Sequence, residues 1–275
     1  MAKFLIYTVL FLCCSNIVSK AQRVVAVGSG INEIVYALGA SDKLVGNCVS
    51  SIYPEDAKTL PKVGYKRMLP SEGIISLKPD LVIMTDEAGP PSVVNQLDQL
   101  KIDVIKLSAN RSLQNIYDSI SVIAEALGKE KESFELIQHL SKQEDELKLK
   151  VAALNDQPTV LFILGHGGVA RVAGYDTAAD SMIKLAGGQN VFSEFKGYKP
   201  VSPEEIIKMN PDYILATNMG VDQQGGIQKF SQMNGVRDTP AARNQNILIF
   251  NSQYLLGFGP RTITAAIDLN SHFDR

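Results

Sequence analysis

Glu130–Leu154 reads EKESFELIQHLSKQEDELKLKVAAL, twenty-five residues without a glycine or proline. Phe134, Ile137, Leu140, Leu147, Val151 and Leu154 fall roughly on one helical stripe, and charged residues cover most of the remainder. At about 1.5 Å per residue this predicts a helix roughly 37 Å long. Gly128 separates it from a shorter helical stretch, Ser112–Leu127, carrying Ile116, Ile120, Ile123 and Leu127, and Asn155–Pro158 ends it. What lies on either side decides whether this helix is a bridge.

On the amino-terminal side, Arg23–Val27 (RVVAV) reads as a strand, Gly28-Ser29-Gly30 as a turn and Ile31–Leu38 as a helix closed by Gly39. Val45–Cys48, Leu81–Met84 and Val104–Leu107 are further strands, with a helix over Val93–Leu100. On the carboxyl side the alternation restarts. Thr159–Leu164 reads as a strand, Gly165–Gly168 as a turn and Thr177–Leu185 as a helix; Tyr213–Ala216 and Ile247–Phe250 are strands before a last helix near Arg261–Phe273. Alternating strands and helices imply βαβ units. The expected fold is therefore α/β: two Rossmann-like lobes with mostly parallel sheets joined by one long α-helix. The expected boundaries are 22–128 for the first lobe, 129–155 for the bridge and 156–275 for the second lobe.

The halves echo each other. Gly64-Tyr65-Lys66, Ser71-Glu72-Gly73-Ile74-Ile75 and Lys78-Pro79-Asp80-Leu81-Val82-Ile83 recur in order as Gly197-Tyr198-Lys199, Pro203-Glu204-Glu205-Ile206-Ile207 and Asn210-Pro211-Asp212-Tyr213-Ile214-Leu215. Two similar lobes face corresponding loops across a cleft, and loops at the carboxyl ends of parallel strands are where such sheets bind ligands.

The 275-residue chain is 45% hydrophobic and 20% charged, a balance that builds a core and excludes disorder, collagen-like repeats and a polytopic membrane protein. With 27 basic and 29 acidic residues it lacks the basic excess of a nucleic-acid binder. Met1–Ala21 has Lys3, an apolar run from Phe4 to Cys14, and small residues Ser19 and Ala21, the layout of a secretory signal peptide cut after Ala21. The apolar run is shorter than the roughly 20 residues a bilayer span needs. A lipoprotein signal acylated at Cys13 or Cys14 is the alternative, although Phe11-Leu12 lack the small residues expected before such a cysteine. Cleavage removes Lys3 and Lys20 and no acid, so the exported, periplasmic chain becomes more acidic. It also leaves Cys48 as the lone cysteine, with no internal disulfide.

Three places carry chemistry. Gly28-Ser29-Gly30 opens a helix after a strand and could cradle phosphate. It lacks the third glycine of a dinucleotide fingerprint, so a tight turn is the plainer reading. His166, in Gly165-His166-Gly167-Gly168, follows an apolar strand and is either a metal ligand or an idle loop histidine. Tyr65 sits among Lys62, Lys66 and Arg67; it is either a surface tyrosine or a phenolate ligand of haem iron. Ionising a phenol of pKa near 10 needs the help of a metal or a neighbouring cation such as Arg67. His139 lies off the apolar stripe and His272 lies near the other end of the chain, so a three-histidine zinc site is not expected. No nucleophile elbow or acid pair with a nearby base stands out, so the chain does not read as an enzyme.

The motifs Val27-Gly28-Ser29-Gly30-Ile31-Asn32-Glu33-Ile34-Val35-Tyr36-Ala37-Leu38-Gly39, Val63-Gly64-Tyr65-Lys66-Arg67 and Phe162-Ile163-Leu164-Gly165-His166-Gly167-Gly168 carry a resemblance covering residues 23–273. The chain resembles the periplasmic haem-binding proteins of ABC-type haem importers, within the wider group of siderophore and cobalamin receptors. The resemblance implies haem as transported ligand, Tyr65 and His166 as iron ligands, and Arg67 and Lys66 as support for a propionate or for the ligating tyrosine. Tyr198 and Lys199 become possible cleft contacts. The resemblance also implies an ABC permease dimer in the inner membrane as partner, docked through Glu72 and Glu204, and a haem-donating outer-membrane receptor. Glu72 and Glu204 each precede an apolar helix, where a helix-dipole role is the plain alternative. A siderophore or cobalamin receptor of the same fold is the competing function. An exported metal-dependent hydrolase using His166 is a further one, disfavoured by the shortage of acid–base partners.

Overall fold

The β-branched segment Val24–Val27 forms β1 and is wholly buried, as a central parallel strand must be. The computed structural model describes residues 22–166 and 169–273, with backbone alone at residues 166, 169 and 170. The expected signal segment 1–21 and the pair Gly167-Gly168 lie outside the described residues. In the first lobe β1 is flanked by β2 (Leu44–Asn47) and β3 (Leu81–Thr85), and β3 by β4 (Asp103–Leu107). All pairs are parallel, in the order β2-β1-β3-β4. Helices α1 (Ser29–Ala37), α2 (Ser71–Ile75), α3 (Pro91–Gln99) and α4 (Leu113–Leu127) complete this lobe.

Ser112 caps α4 by accepting the Asn115 N–H at 3.2 Å, and Gly128 ends it in the left-handed region. The chain then enters α5 (Glu130–Ala152), the long bridge. Its buried positions are Ser133, Leu140 and Leu147, a seam repeating every seventh residue. Phe134, expected on the buried stripe, is 64% exposed. The helix packs against α4 and α12 (Thr262–Asn270), which leave Ile137, Val151 and Leu154 partly buried but do not cover Phe134. Tyr117 of α4 donates to Glu144 at 2.6 Å, and Gln143 donates to Thr264 of α12 at 3.3 Å, fixing the bridge on both sides.

The second lobe contains β5 (Thr159–His166), β6 (Val169–Ala173), β7 (Gln189–Asn190), β8 (Tyr198–Pro200), β9 (Tyr213–Thr217) and β10 (Ile247–Phe250). Its helices are α6 (Ala178–Leu185), α7 (Pro203–Met209), α8 (Asn218–Gln223), α9 (Ile227–Ser231), α10 (Pro240–Arg243), α11 (Ser252–Leu256) and α12. The sheet runs β10-β9-β5-β6-β8, with β7 beside the start of β5. Three of its pairs are parallel, as expected, but the sheet is mixed: β6 runs antiparallel to both β5 and β8. Only two residues separate β5 from β6, far fewer than a parallel crossover needs. His166 is accordingly the last residue of β5, paired with Val169, and not part of a free loop.

The sequence echo is real backbone. Asp80 accepts the Arg23 N–H at 2.9 Å and so pins the start of β1 to β3, while Asp212 accepts the Thr159 N–H at 2.8 Å and pins β5 to β9. Lys78 and Asn210, two residues earlier, both take left-handed φ values, 47° and 48°.

One hydrophobic cluster runs through both lobes, from Val24 and Ile34 through Leu140 and Leu147 to Phe162, Leu215 and Ile263. A buried polar contact reinforces it. Glu33 of α1 accepts from Arg261 Nε at 2.8 Å and Nη2 at 2.9 Å, and from Gln253 Nε2 at 2.6 Å. Gln253 Oε1 in turn accepts the Ile52 N–H at 2.7 Å, and the Arg261 guanidinium stacks 3.4 Å from the Tyr53 ring centroid. A large apolar interface of this kind restrains relative lobe motion.

Candidate functional site

The carboxyl ends of the strands in both lobes open onto one cleft. A cavity of about 300 Å3 there is lined by Val49, Ile52 and Tyr65 from the first lobe and by Leu164, Gly165, Met219 and Leu256 from the second. Its walls are mainly aliphatic, and Tyr65, Val49 and Met219 are each exposed toward it. Such a surface suits a large, flat, mostly apolar ligand.

Tyr65 stands on a tight turn. The Met68 N–H donates to the Tyr65 carbonyl at 2.9 Å, the Val49 N–H to the Gly64 carbonyl at 3.0 Å and the Gly89 N–H to the Lys66 carbonyl at 2.9 Å. Gly64 has φ +111°, and a Cβ there would lie 2.7 Å from Pro70 Cδ, so only glycine fits. The phenol is thus 45% exposed on a backbone held from both sides.

Across the cleft, β5 ends in Gly165 and His166. A Cβ at Gly165 would come within 2.0 Å of the Gly220 carbonyl oxygen, so glycine lets α8 sit against the end of β5. That approach delivers Met219 to the cavity. The backbone of His166 therefore begins at a residue that shares the cavity with Tyr65.

An ionic cluster forms the rim. Glu87, after β3, accepts from Arg67 at 3.0 Å and Arg111 at 2.8 Å, with Lys66 Nζ at 3.5 Å. Arg111 also reaches across to Asp176 of the second lobe at 3.7 Å, and Asp176 pairs with Lys196 at 2.7 Å. Partial burial would raise the Glu87 carboxyl, but the Arg67 and Arg111 hydrogen bonds and the surrounding cations win and hold it down at about 2. Burial pushes the Lys66 ammonium down despite Glu87. Arg67 lies within electrostatic range of the Tyr65 and Tyr198 phenols.

The other expected residues are placed variously. Tyr198, on β8, packs edge-on against Phe162 with centroids 6.2 Å apart, and burial raises its phenol. Tyr65 and Tyr198 are equivalent in the echo but not in environment. Lys199 places its ammonium 4.8 Å from the Phe195 ring centroid and does not line the cavity. Lys62 turns to bind the Ser51 and Ala57 carbonyls and the Asn47 side chain. Glu72 and Glu204 are exposed in the first turns of α2 and α7, while Glu205 is engaged with Ser202 in a capping box. His139 is exposed on α5. Cys48 is free and buried. Among the described residues no group of three or more His, Cys, Asp or Glu side chains could hold a metal ion.

Sequence reading missed Met219, Glu87 and Arg111. Met219 had a signal, since it follows a fully buried strand and so sits at a strand's carboxyl end. Glu87 and Arg111 lie 24 residues apart in polar loops and had none.

A family model described as periplasmic binding protein matches residues 24–254. The vitamin B12-binding protein of Vibrio campbellii is 28% identical, over 92% of this chain and 90% of its own. The uncharacterised ABC transporter substrate-binding lipoprotein YvrC of Bacillus subtilis is 27% identical, over 92% of this chain and 80% of its own. Among solved structures, the periplasmic haem-binding protein BhuT in complex with two haems superposes with TM-score 0.87 at 34% identity, covering 92% of this chain and 98% of that one. The periplasmic haem-binding protein RhuT from Roseiflexus sp. RS-1, in apo form, superposes with TM-score 0.88 at 36% identity, covering 93% and 98%.

Proposed function

The chain belongs to the periplasmic binding protein family, and from that premise we propose that its ligand is haem, held between the lobes for delivery to an ABC permease. It is a substrate-binding protein of an ABC transporter and not an enzyme. The observation that carries the haem reading is the pairing of an aliphatic cleft with an exposed, rigidly mounted Tyr65 and three cations beside it. A haem offers an apolar plane, an iron for the phenolate and two carboxylates for the cations. Tyr65 is the first iron ligand and His166, at the end of β5, the second, with Arg67 and Lys66 supporting a propionate or the phenolate.

The B12-binding relatives favour a second reading, a cobalamin receptor on the same fold. Corrin side chains are amides, which leave the three cations without carboxylates to meet. Titrating hemin into the purified protein should produce a Soret band that Tyr65→Ala weakens or shifts. Saturation by cobalamin with no hemin response would instead favour the second reading.

Export by cleavage after Ala21 predicts a mature protein beginning at Gln22, read by mass spectrometry, with lipid at Cys13 or Cys14 as the contrary result. Glu72 and Glu204 dock the permease: charge reversal at either should abolish haem uptake in cells while the Soret titration stays unchanged. An outer-membrane receptor supplies the haem.

A further inference from the structure

Glycine within a helix costs stability relative to alanine, so a helical glycine marks a constraint other than the helix. Gly30 is such a residue, buried in the first turn of α1 at the lobe interface. A Cβ there would lie 2.6 Å from the Gly257 carbonyl oxygen and 2.7 Å from that of Phe258. The requirement is mutual. A Cβ at Gly259 would lie 3.1 Å from Gly30 Cα and 3.3 Å from the Gly30 carbonyl oxygen. At this point the first lobe meets the second backbone to backbone.

The second-lobe side is shaped for the contact. Phe258 holds φ 49°, a left-handed conformation that a non-glycine residue adopts at a cost. Gly257 is packed against its own turn, where a Cβ would collide with the Gln253 carbonyl oxygen. The same stretch carries Gln253 and Arg261, which both bind Glu33 of α1. Residues 253–261 thus hold the start of α1 by side chains at both ends and by bare backbone in the middle. The contact borders the cleft, since Ser29, Leu256 and Gly257 line the same cavity as Tyr65 and Met219. Close-packed backbone has no rotamers to yield, so a change of spacing here passes to the cleft walls.

We propose that this glycine-on-glycine contact is the spacer that sets the width of the cleft, with Gly30 and Gly259 as positioning residues for the ligand. The inference rests on the haem reading above: a plate-like ligand touched from both faces needs its walls at one spacing. The Gly28-Ser29-Gly30 turn then serves close approach between the lobes and not a phosphate. Ordinary contact begins at 3.4 Å, so Gly30→Ala drives the opposite backbone back by about 0.8 Å, from 2.6 to 3.4 Å.

The test reads spacing and binding separately. Spin labels at Gln96→Cys in α3 and Lys208→Cys in α7, both exposed positions, report the distance between the lobes by pulsed electron paramagnetic resonance, and the buried Cys48 stays unlabelled. In ligand-free protein Gly30→Ala should shift this distance by at least the 0.8 Å that the contact demands, and it should weaken hemin binding roughly 10-fold or more. Gly259→Ala, whose Cβ falls only a few tenths of an ångström short of ordinary contact, should do both to a smaller extent, and it carries the test if Gly30→Ala does not fold. Gly39→Ala is the control at the other end of α1. With φ +62° and nothing within 4 Å of a Cβ, it should lower the melting temperature and leave distance and hemin affinity as in wild type. An unshifted distance in both contact variants, a shift without loss of hemin affinity, or an equal loss of affinity in Gly39→Ala overturns the spacer. Wild-type protein that binds no hemin overturns the haem reading instead, while the distance measurement still tests the contact.

Discussion

The two lobes meet through arginine–carboxylate pairs in two places, and the pairs are built in opposite ways. Deep in the interface, Arg261 grips Glu33 with two hydrogen bonds at 2.8 and 2.9 Å, Gln253 adds a third, and the Glu33 side chain is only 4% exposed. At the cleft rim, Arg111 reaches Asp176 at 3.7 Å, Asp176 is 49% exposed, and its better bond goes to Lys196 within its own lobe. The buried pair is saturated and has no room to exchange partners. The rim pair is loose and sits beside the cations the ligand would meet. The same chemistry therefore fixes the lobe geometry in one region and leaves it adjustable in the other. Burial and completeness of the hydrogen-bond set make the difference, not the residue types.

Breaking the buried contact should have the largest effect. Glu33→Ala strands the Arg261 guanidinium in the interface and should destabilise the protein by about 3 kcal/mol in urea or guanidinium unfolding. A loss under about 1 kcal/mol would place the lobe geometry in the apolar cluster alone. A smaller effect belongs to Glu87. Its folded pKa, about 2, lies below its ordinary 4.5, so the stability it contributes is complete above pH ~4.5 and is lost as pH falls toward 2. In Glu87→Gln the stability difference from wild type should narrow across that window and stay constant above it, which melting temperatures at stepped pH will read. The smallest effect is expected at Asp176→Asn, whose melting temperature should match that of wild type at moderate salt. A lower melting temperature there would make the rim a second lock.

The comparison also explains what could be read in advance. The bridge was legible because twenty-five residues without glycine or proline leave few alternatives to helix. Lys-Pro-Asp and Asn-Pro-Asp were legible because each places an aspartate to pin a strand start, a local job that repeats wherever the local motif repeats. Phe134 misled, because periodicity reveals a face but not whether a neighbour covers it. The β6 strand, a short VARVA directly after the Gly165–Gly168 stretch, carries no signal that it pairs back onto β5. The Glu33 lock was hidden by distance, since Arg261 lies 228 residues away and nothing local in either segment announces the other. Tyr65 lines the cleft on a turn braced by a left-handed Gly64, a glycine that the sequence displays beside it. The cation cluster around Glu87 was not legible, because it assembles from three loops that only the parallel sheet brings together.

The most direct test of the central reading is an absorption titration of hemin into wild-type protein and Tyr65→Ala. A saturable Soret band in the wild type, weakened or shifted in the variant, is the expected result. No spectral change on adding hemin to wild type, or a band identical in both proteins, would contradict a cleft in which Tyr65 holds the iron.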